Sequence, residues 1–208
     1  MIQNGVKLID NDMKQYDFGD GSNVFFTSDT HFHHEAINWM CNRNFANVEE
    51  MNNTLINNWN SVVGKNDIVF HLGDFCFGGP PKWINILEQL NGHIYLIMGN
   101  HDFKNLKDNV KQYFVDVTQQ MRIQIDGWTL YLNHYPYLCY GGAWNTDRKV
   151  GQAFGHVHSS PTCTGKDKDR LQWLFPTQYD VGVDNNNYTP ISWNILKQKF
   201  EENISNAV

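Results

Sequence analysis

The chain is poor in cysteine. Its four, Cys41, Cys76, Cys139 and Cys163, are widely separated singletons with no CxxC among them, which excludes a zinc knuckle or a disulfide-stapled secreted scaffold and implies reduced thiols. Long apolar runs are missing too. The longest, such as Ile94 to Met98, have the length of a strand and fall far short of a membrane span. Met1 to Asp12 has no signal-peptide pattern, so the expectation is a cytoplasmic protein without membrane contact. Positive charge is also short: 16 Lys and Arg stand against 22 Asp and Glu, a formal net charge of -6. A broad basic surface for duplex DNA is therefore not expected, because such binding depends on cationic side chains displacing counterions. A nucleotide or single-stranded nucleic acid stays admissible where bound cations reverse the local field. No low-complexity block, repeat or linker interrupts the 208 residues, which suits one domain over residues 1–208.

What is present is a series of apolar strands that run into polar residues. Residues up to about Gly21 offer one short alternation, Val6 to Ile9, and no chemistry. Val24 to Ser28 then leads into Asp29-Thr30-His31, and Asp67 to Leu72 leads into Gly73-Asp74. His93 to Met98 leads into Gly99-Asn100-His101-Asp102, a loop with an amide, an imidazole and a carboxylate in succession. Between these strands, Met51, Leu55 and Trp59 fit an amphipathic helix from about Val48 to Gly64, and Pro80 to Leu90 fits a second. Strands alternating with helices imply parallel βαβ units, whose ligands gather at the carboxyl ends of the strands. In an extended segment residues i and i+2 face the same side, so Asp29 and His31 can point at one cation.

From Val115 the pattern changes. Met121 to Ile125 alternates, Asp126-Gly127 signals a hairpin, and Trp128 to Leu132 alternates again, so this half reads as antiparallel. It ends in Asn133-His134. A polar, Gly-rich segment runs to Lys149, and Gly155-His156-Val157-His158 repeats the i, i+2 spacing. Tyr179 to Asp184 reads as one more strand and Pro190 to Phe200 as a closing helix.

Two carboxylates, one side-chain amide and several imidazoles from five strand ends exceed what one zinc can use. Structural zinc sites close with four ligands and usually use cysteine, whereas this mixed oxygen and nitrogen set can hold two transition metals with positions left for water and substrate. Mn²⁺, Fe or Zn²⁺ suits it. Two such ions roughly 3.5 to 4 Å apart can bind both non-bridging oxygens of a phosphate and acidify a shared water, which is the chemistry of phosphoester hydrolysis.

Taken together, Asp29-Thr30-His31, Gly73-Asp74, Gly99-Asn100-His101-Asp102, His134 and Gly155-His156-Val157-His158 resemble the calcineurin-like metallophosphoesterases, with all five motifs in family order over about Val24 to Asp184. Glu50-Met51-Asn52, Trp59-Asn60, His71 to Phe75 and Val181 to Asp184 look like the small stand-alone members of bacteria and phages. The resemblance implies an α/β fold, a four-layer αββα sandwich of two mixed β-sheets flanked by helices. It implies that Asp29, His31 and His158 hold one metal, that Asn100, His134 and His156 hold the other, and that Asp74 bridges them. Mn²⁺ is the expected metal. By the same resemblance His101 protonates the leaving oxygen, and a metal-bridging hydroxide attacks in line without a phosphoenzyme.

Further residues carry two readings each. Asp102 orients His101 or closes a turn; His33 and His34 touch substrate or merely start a helix, with His34 the better substrate contact. Arg43 clamps a phosphate bidentately or pairs with Glu49 or Glu50. His71 is expected to support a ligand by hydrogen bonding and His93 to be exposed, while Asp180 and Asp184 either accept from ligand histidines or sit solvated at strand ends. Tyr137 to Lys149 forms a substrate wall, with Trp144 or Tyr140 stacking on a base, or packs as an ordinary loop. The phosphoprotein-phosphatase pattern is not matched: Phe75-Cys76-Phe77 follows Gly73-Asp74, and Asp102 stands where that pattern has Glu. Without its phosphate-gripping arginine, a phosphodiester is the expected substrate: a nucleotide, cyclic nucleotide or short nucleic acid. A phosphomonoesterase on a small metabolite is the alternative, and a metal-binding scaffold without turnover is a third reading.

Overall fold

The computed structural model describes residues 2–3, 6–9, 15–145, 147–163 and 166–207. The chain opens with strands β1 (Ile2–Gln3), β2 (Val6–Ile9), β3 (Gln15–Asp17) and β4 (Val24–Thr27). Helices α1 (Ile37–Met40) and α2 (Val48–Val62) lead to β5 (Ile68–His71), and α3 (Pro80–Leu87) leads to β6 (His93–Ile97). Short helices α4 (Asp102–Asn105) and α5 (Asp108–Lys111) precede β7 (Asp116–Thr118), β8 (Gln120–Ile125), β9 (Trp128–Asn133) and β10 (Val150–Phe154). A 3₁₀ stretch, Lys166–Trp173, precedes β11 (Gln178–Asp180), and after β12 (Ile191–Ser192) the chain closes in α6 (Trp193–Ala207). No helix among the described residues is long and apolar enough to cross a membrane.

The strands form two mixed sheets flanked by helices, one five-stranded in the order β12-β4-β5-β6-β7 and one seven-stranded in the order β1-β2-β3-β8-β9-β10-β11. In the first, β4, β5 and β6 run parallel with Thr27 opposite His71 and His71 opposite Leu96. Their carboxyl ends therefore finish level. These strands read as unbroken apolar runs because both sheet faces are covered, as the fully buried β5 shows. In the second sheet, β8 and β9 alternate buried and half-buried residues, joined by Asp126 and Gly127, both at positive φ as a tight hairpin requires.

Two expectations need correction. Among the strands of the second half that pair with one another, only β8 and β9 are antiparallel; β10 runs parallel to both β9 and β11, because the long connector after His134 carries the chain back to the start of the sheet before β10 begins. Pro190 does not open the closing helix. Ile191 and Ser192 first pair with Phe26 and Phe25 as an edge strand, and the helix starts at Trp193.

Phe26, Phe70, Ile97, Ile123, Leu130 and Leu132 fill the space between the sheets, with Trp193, Leu196 and Phe200 of α6 sealing it. A second core lies between the five-stranded sheet and its helices, where Met51, Leu55 and Trp59 of α2 and Trp83 of α3 meet Val69 and Leu96. Asn47 caps α2 by accepting from the Glu50 amide at 2.9 Å, and the Glu50 carboxylate accepts from Ala46 N–H at 2.6 Å, so the start of this helix is fixed by its own sequence. The sheets meet where Ser28, just past β4, bridges Gly182, just past β11. The carboxyl ends of β4, β5, β6, β9 and β10 thus share one edge of the molecule.

Candidate metal centre

At that edge the backbone leaves the regular strand conformation. Asp29, His31, Asp74, His156 and His158 all have φ between 45° and 72°, the left-handed region that costs a non-glycine residue of order 1 to 3 kcal/mol when strained. The extended i, i+2 geometry expected for Asp29 and His31 is therefore not what aims them. Each turn is held by its neighbours instead: Asp29 N–H donates to Gly73 O at 2.9 Å and His31 N–H to Asp74 O at 3.0 Å, so the first two loops fix one another.

Asp29, His31 and His158 bring one ligand atom each within 4.8 Å of one another, and Asp74, His134 and His156 do the same. His156 and His158, two residues apart, thus go to different groups. Asp74 lies between them, its Oδ2 3.7 Å from His31 Nε2 and 3.5 Å from His134 Nε2. Asn100 Oδ1 is 3.1 Å from His134 Nε2, which adds the side-chain amide to the second group. Within the first, Asp29 Oδ1 and His31 Nε2 are shut off from water without a hydrogen-bond partner, 3.7 Å apart. Buried polar atoms left bare in this way are costly, and a cation between them removes the cost. These residues fit a pair of divalent transition metals.

Electrostatics agree with that fit. Burial works against the Asp29 charge, but the neighbouring His31, His158 and His134 outweigh it and hold the carboxyl well below its usual range. Burial pushes His31 down to about 4, so it is neutral at physiological pH. Burial also opposes charge on His134 and His158, but Asp74 and Asp184 respectively, with Asp29, carry both up to about 9 in the metal-free protein.

Asp102 is a turn-closing residue: its buried carboxylate accepts from the amides of Gly99 and Asp74 at 2.8 Å and of Phe75 at 3.0 Å, binding the second and third loops together. Two glycines permit the approach. A Cβ on Gly99 would overlap the Asp74 carboxylate, and one on Gly155 would overlap Ser28 and the Asp29 carboxylate.

Arg43 corrects an expectation. It is wholly buried, Nε and Nη2 bonded to Asp184 at 2.7 and 2.8 Å, Nη1 to Thr30 O at 3.0 Å and Nη2 to Asp29 O at 2.7 Å. With its donors spent inside the protein it can neither clamp a phosphate nor pair with Glu49 or Glu50. Asp184 Oδ2 also accepts from His158 Nδ1 at 2.6 Å, so it orients a histidine of the first group. Cys41 and Cys163 approach the same carboxylate, but its oxygens are already engaged by Arg43 and His158.

His101 stands half-open beside the centre, its side chain 42 % exposed and Nε2 3.9 Å from Asp74 Oδ2. His34 Nδ1 lies 3.2 Å from His31 Nδ1 and its ring stacks on Phe77 at 3.8 Å, while Phe77 also packs 4.8 Å from His101. Phe77 was missed by sequence reasoning, since an aromatic three residues past the strand-end motif Gly73-Asp74 has no signal of its own. Tyr135 was missed as well; its ring is 4.7 Å from His156 and its hydroxyl 3.5 Å from Asn100 Oδ1. His71 Nε2 pairs at 3.0 Å with Oγ1 of Thr30, the residue between Asp29 and His31. His33 packs against Asn52, its N–H donating to Asn52 Oδ1 at 3.0 Å and its Nδ1 accepting from Asn52 Nδ2 at 3.2 Å, and His93 is exposed. Asp180 accepts from the amides of Ser159 and Gly182 rather than from a histidine. Trp144 is 74 % exposed, whereas Tyr140 is bonded to Thr177.

The sequence model of the calcineurin-like phosphoesterases matches residues 22–195. The chain belongs to that family. It is accordingly a phosphoesterase of a kind that depends on metals, and the two residue groups described above suit that dependence. An uncharacterized protein of Methanocaldococcus jannaschii is 36% identical over 183 residues, covering 86% of this chain and 92% of that one. The Gene 66 protein of Mycobacterium phage D29 is 32% identical over 194 residues, covering 78% of this chain and 88% of its own. Among solved structures, a protein of unknown function from Aquifex aeolicus superposes with a TM-score of 0.64 at 26% identity, over 84% of this chain and 97% of that one.

Proposed function

We propose that the chain is a dinuclear metal-dependent phosphodiesterase. Asp29, His31 and His158 hold one cation, Asn100, His134 and His156 hold the other, and Asp74 spans both. The observation that carries this reading is Asp74 Oδ2, which lies 3.5 to 3.9 Å from imidazole nitrogens of His31, His134 and His101. When bound, two such cations supply Lewis acidity toward the non-bridging oxygens and a water acidic enough to attack at neutral pH. Mn²⁺ fits the mixed oxygen and imidazole donors, and Fe or Zn²⁺ does so as well.

The chain's own residues do the rest. His101 gives a proton to the leaving oxygen; its backbone N–H is anchored on Asp74 Oδ1 at 2.9 Å, which fixes the imidazole relative to the centre while leaving it open to substrate. Proton transfer of this kind contributes roughly 10²- to 10⁴-fold in rate. His34, stacked on Phe77, steadies His31 from its other nitrogen. The burial of Arg43 supports a diester over a monoester, because its guanidinium, bonded to Asp184, Thr30 and Asp29, is not free to neutralise a second phosphate charge. A nucleotide, cyclic nucleotide or short single-stranded nucleic acid is the substrate class.

Initial rates on bis-p-nitrophenyl phosphate and p-nitrophenyl phosphate, with metal-stripped protein and with Mn²⁺ restored, test the reading. Metal-dependent turnover favouring the diester is expected. Preference for the monoester would move the assignment to a phosphomonoesterase, and silence on both with metal bound would favour a scaffold.

A further inference from the structure

Where β7 of the five-stranded sheet meets β3, β8 and β9 of the other, apart from the metal centre, lies a cavity of about 590 Å³, a size that suits a small organic ligand. Arg122 and Tyr131, direct partners across β8 and β9, form its floor, with Tyr137 and Tyr140 of the segment after His134 beside them. The rings of Tyr131 and Tyr140 are in contact, with centroids 5.4 Å apart. Arg122 is the unusual member. Its Nε is shut off from water with no acceptor, and it joins none of the ion pairs found among the described residues. Asp116 shares the cavity; its Oδ2 accepts from Tyr16 Oη at 3.1 Å and its Oδ1 from the Val117 amide at 2.9 Å, which leaves each oxygen able to accept one bond more.

An unpaired guanidinium among tyrosine rings recognises an anion joined to a flat ring: the phosphate pairs with the guanidinium and the ring packs on the phenols. Asp116 at the same cavity favours a ligand that also carries an N–H or O–H donor, as a nucleobase or sugar does. The cavity is also close to the chemistry. Gln120 lines it, accepts from Tyr137 Oη at 2.9 Å, and stands in the sheet opposite Asn133, the residue before His134.

We propose that this cavity is a nucleotide subsite, taking a base and its phosphate from a single-stranded oligonucleotide whose scissile diester lies at the metal centre. The subsite rests on the phosphodiesterase reading for its place in the reaction, while its affinity for a nucleotide is independent of turnover. Arg122 holds the phosphate, and Tyr131 and Tyr140 hold the base.

Isothermal titration of the full, metal-loaded chain with the phosphonate analogue of AMP, in which CH₂ replaces the 5′ bridging oxygen, reads the subsite directly. Arg122→Ala should weaken binding roughly 10- to 100-fold, the strength of a charge-assisted contact; Tyr131→Ala should weaken it too, and Tyr131→Phe should restore it. Both alanine variants should hydrolyse bis-p-nitrophenyl phosphate at the wild-type rate while raising KM, not lowering kcat, on a tetranucleotide. Equal affinity in wild type and Arg122→Ala, no binding by wild type, or equal binding of inorganic phosphate would overturn the assignment. A wild-type chain inert on the diester but binding the analogue through Arg122 would count against the phosphodiesterase reading alone.

Discussion

Asp184 holds Arg43 with both carboxylate oxygens, Oδ1 to Nε at 2.7 Å and Oδ2 to Nη2 at 2.8 Å, and the same Oδ2 accepts from His158 at 2.6 Å. A charge that joins the outer loops thus also aims a residue of the centre. Burial disfavours the Asp184 charge, but Arg43 and His158 outweigh it and keep the carboxyl below its ordinary range. Asp184→Ala strands a wholly buried guanidinium, so urea denaturation should show a loss of about 3 to 5 kcal/mol. Metal affinity should fall by roughly 10- to 100-fold because His158 loses its support. A variant as stable as wild type would contradict this.

His101→Asn should keep both cations, measured as metal content after gel filtration, and lose roughly 10²- to 10⁴-fold in turnover on bis-p-nitrophenyl phosphate. Loss of metal along with activity would mean that His101 is a ligand and not an acid.

Gly155→Ala places a methyl group where Ser28 and the Asp29 carboxylate already stand, whereas a methyl on Gly19 meets nothing within 4 Å. The first should lower stability by about 1 to 3 kcal/mol and weaken metal uptake. Gly19→Ala, at positive φ, carries only backbone strain and should leave metal uptake unchanged. Equal metal binding in the two variants would refute the close-approach argument.

Metal uptake should depend on pH with a definite sign. A histidine ligates only when neutral, and without metal His134 and His158 keep their protons up to about 9. His31, down at about 4, is already neutral near pH 7. Affinity should therefore rise as pH rises toward 9, and loading near pH 7 should release about two protons. Calorimetry in buffers of different ionisation enthalpy counts them; no release would contradict the assigned ligands.

The strand ends were legible because each apolar run stops at a carboxylate, amide or imidazole, and β4, β5 and β6 follow that pattern. The hairpin at Asp126-Gly127 was legible from turn chemistry alone. What the sequence hid was contact across distance. Arg43 and Asp184 are 141 residues apart, and nothing near either one names the other. The parallel placement of β10 depends on a connector whose path its Gly-rich composition does not encode. The left-handed turns at Asp29 and Asp74 were hidden too, because neither is a glycine and both are held by the facing loop rather than by their own sequence.

The most direct measurement is the initial rate on bis-p-nitrophenyl phosphate as Mn²⁺ is titrated into metal-stripped protein at a concentration far above its dissociation constants. The proposed dinuclear centre spanned by Asp74 requires a rate that reaches its plateau only at two equivalents. Full activity at one equivalent, or none at two, would contradict a dinuclear phosphodiesterase.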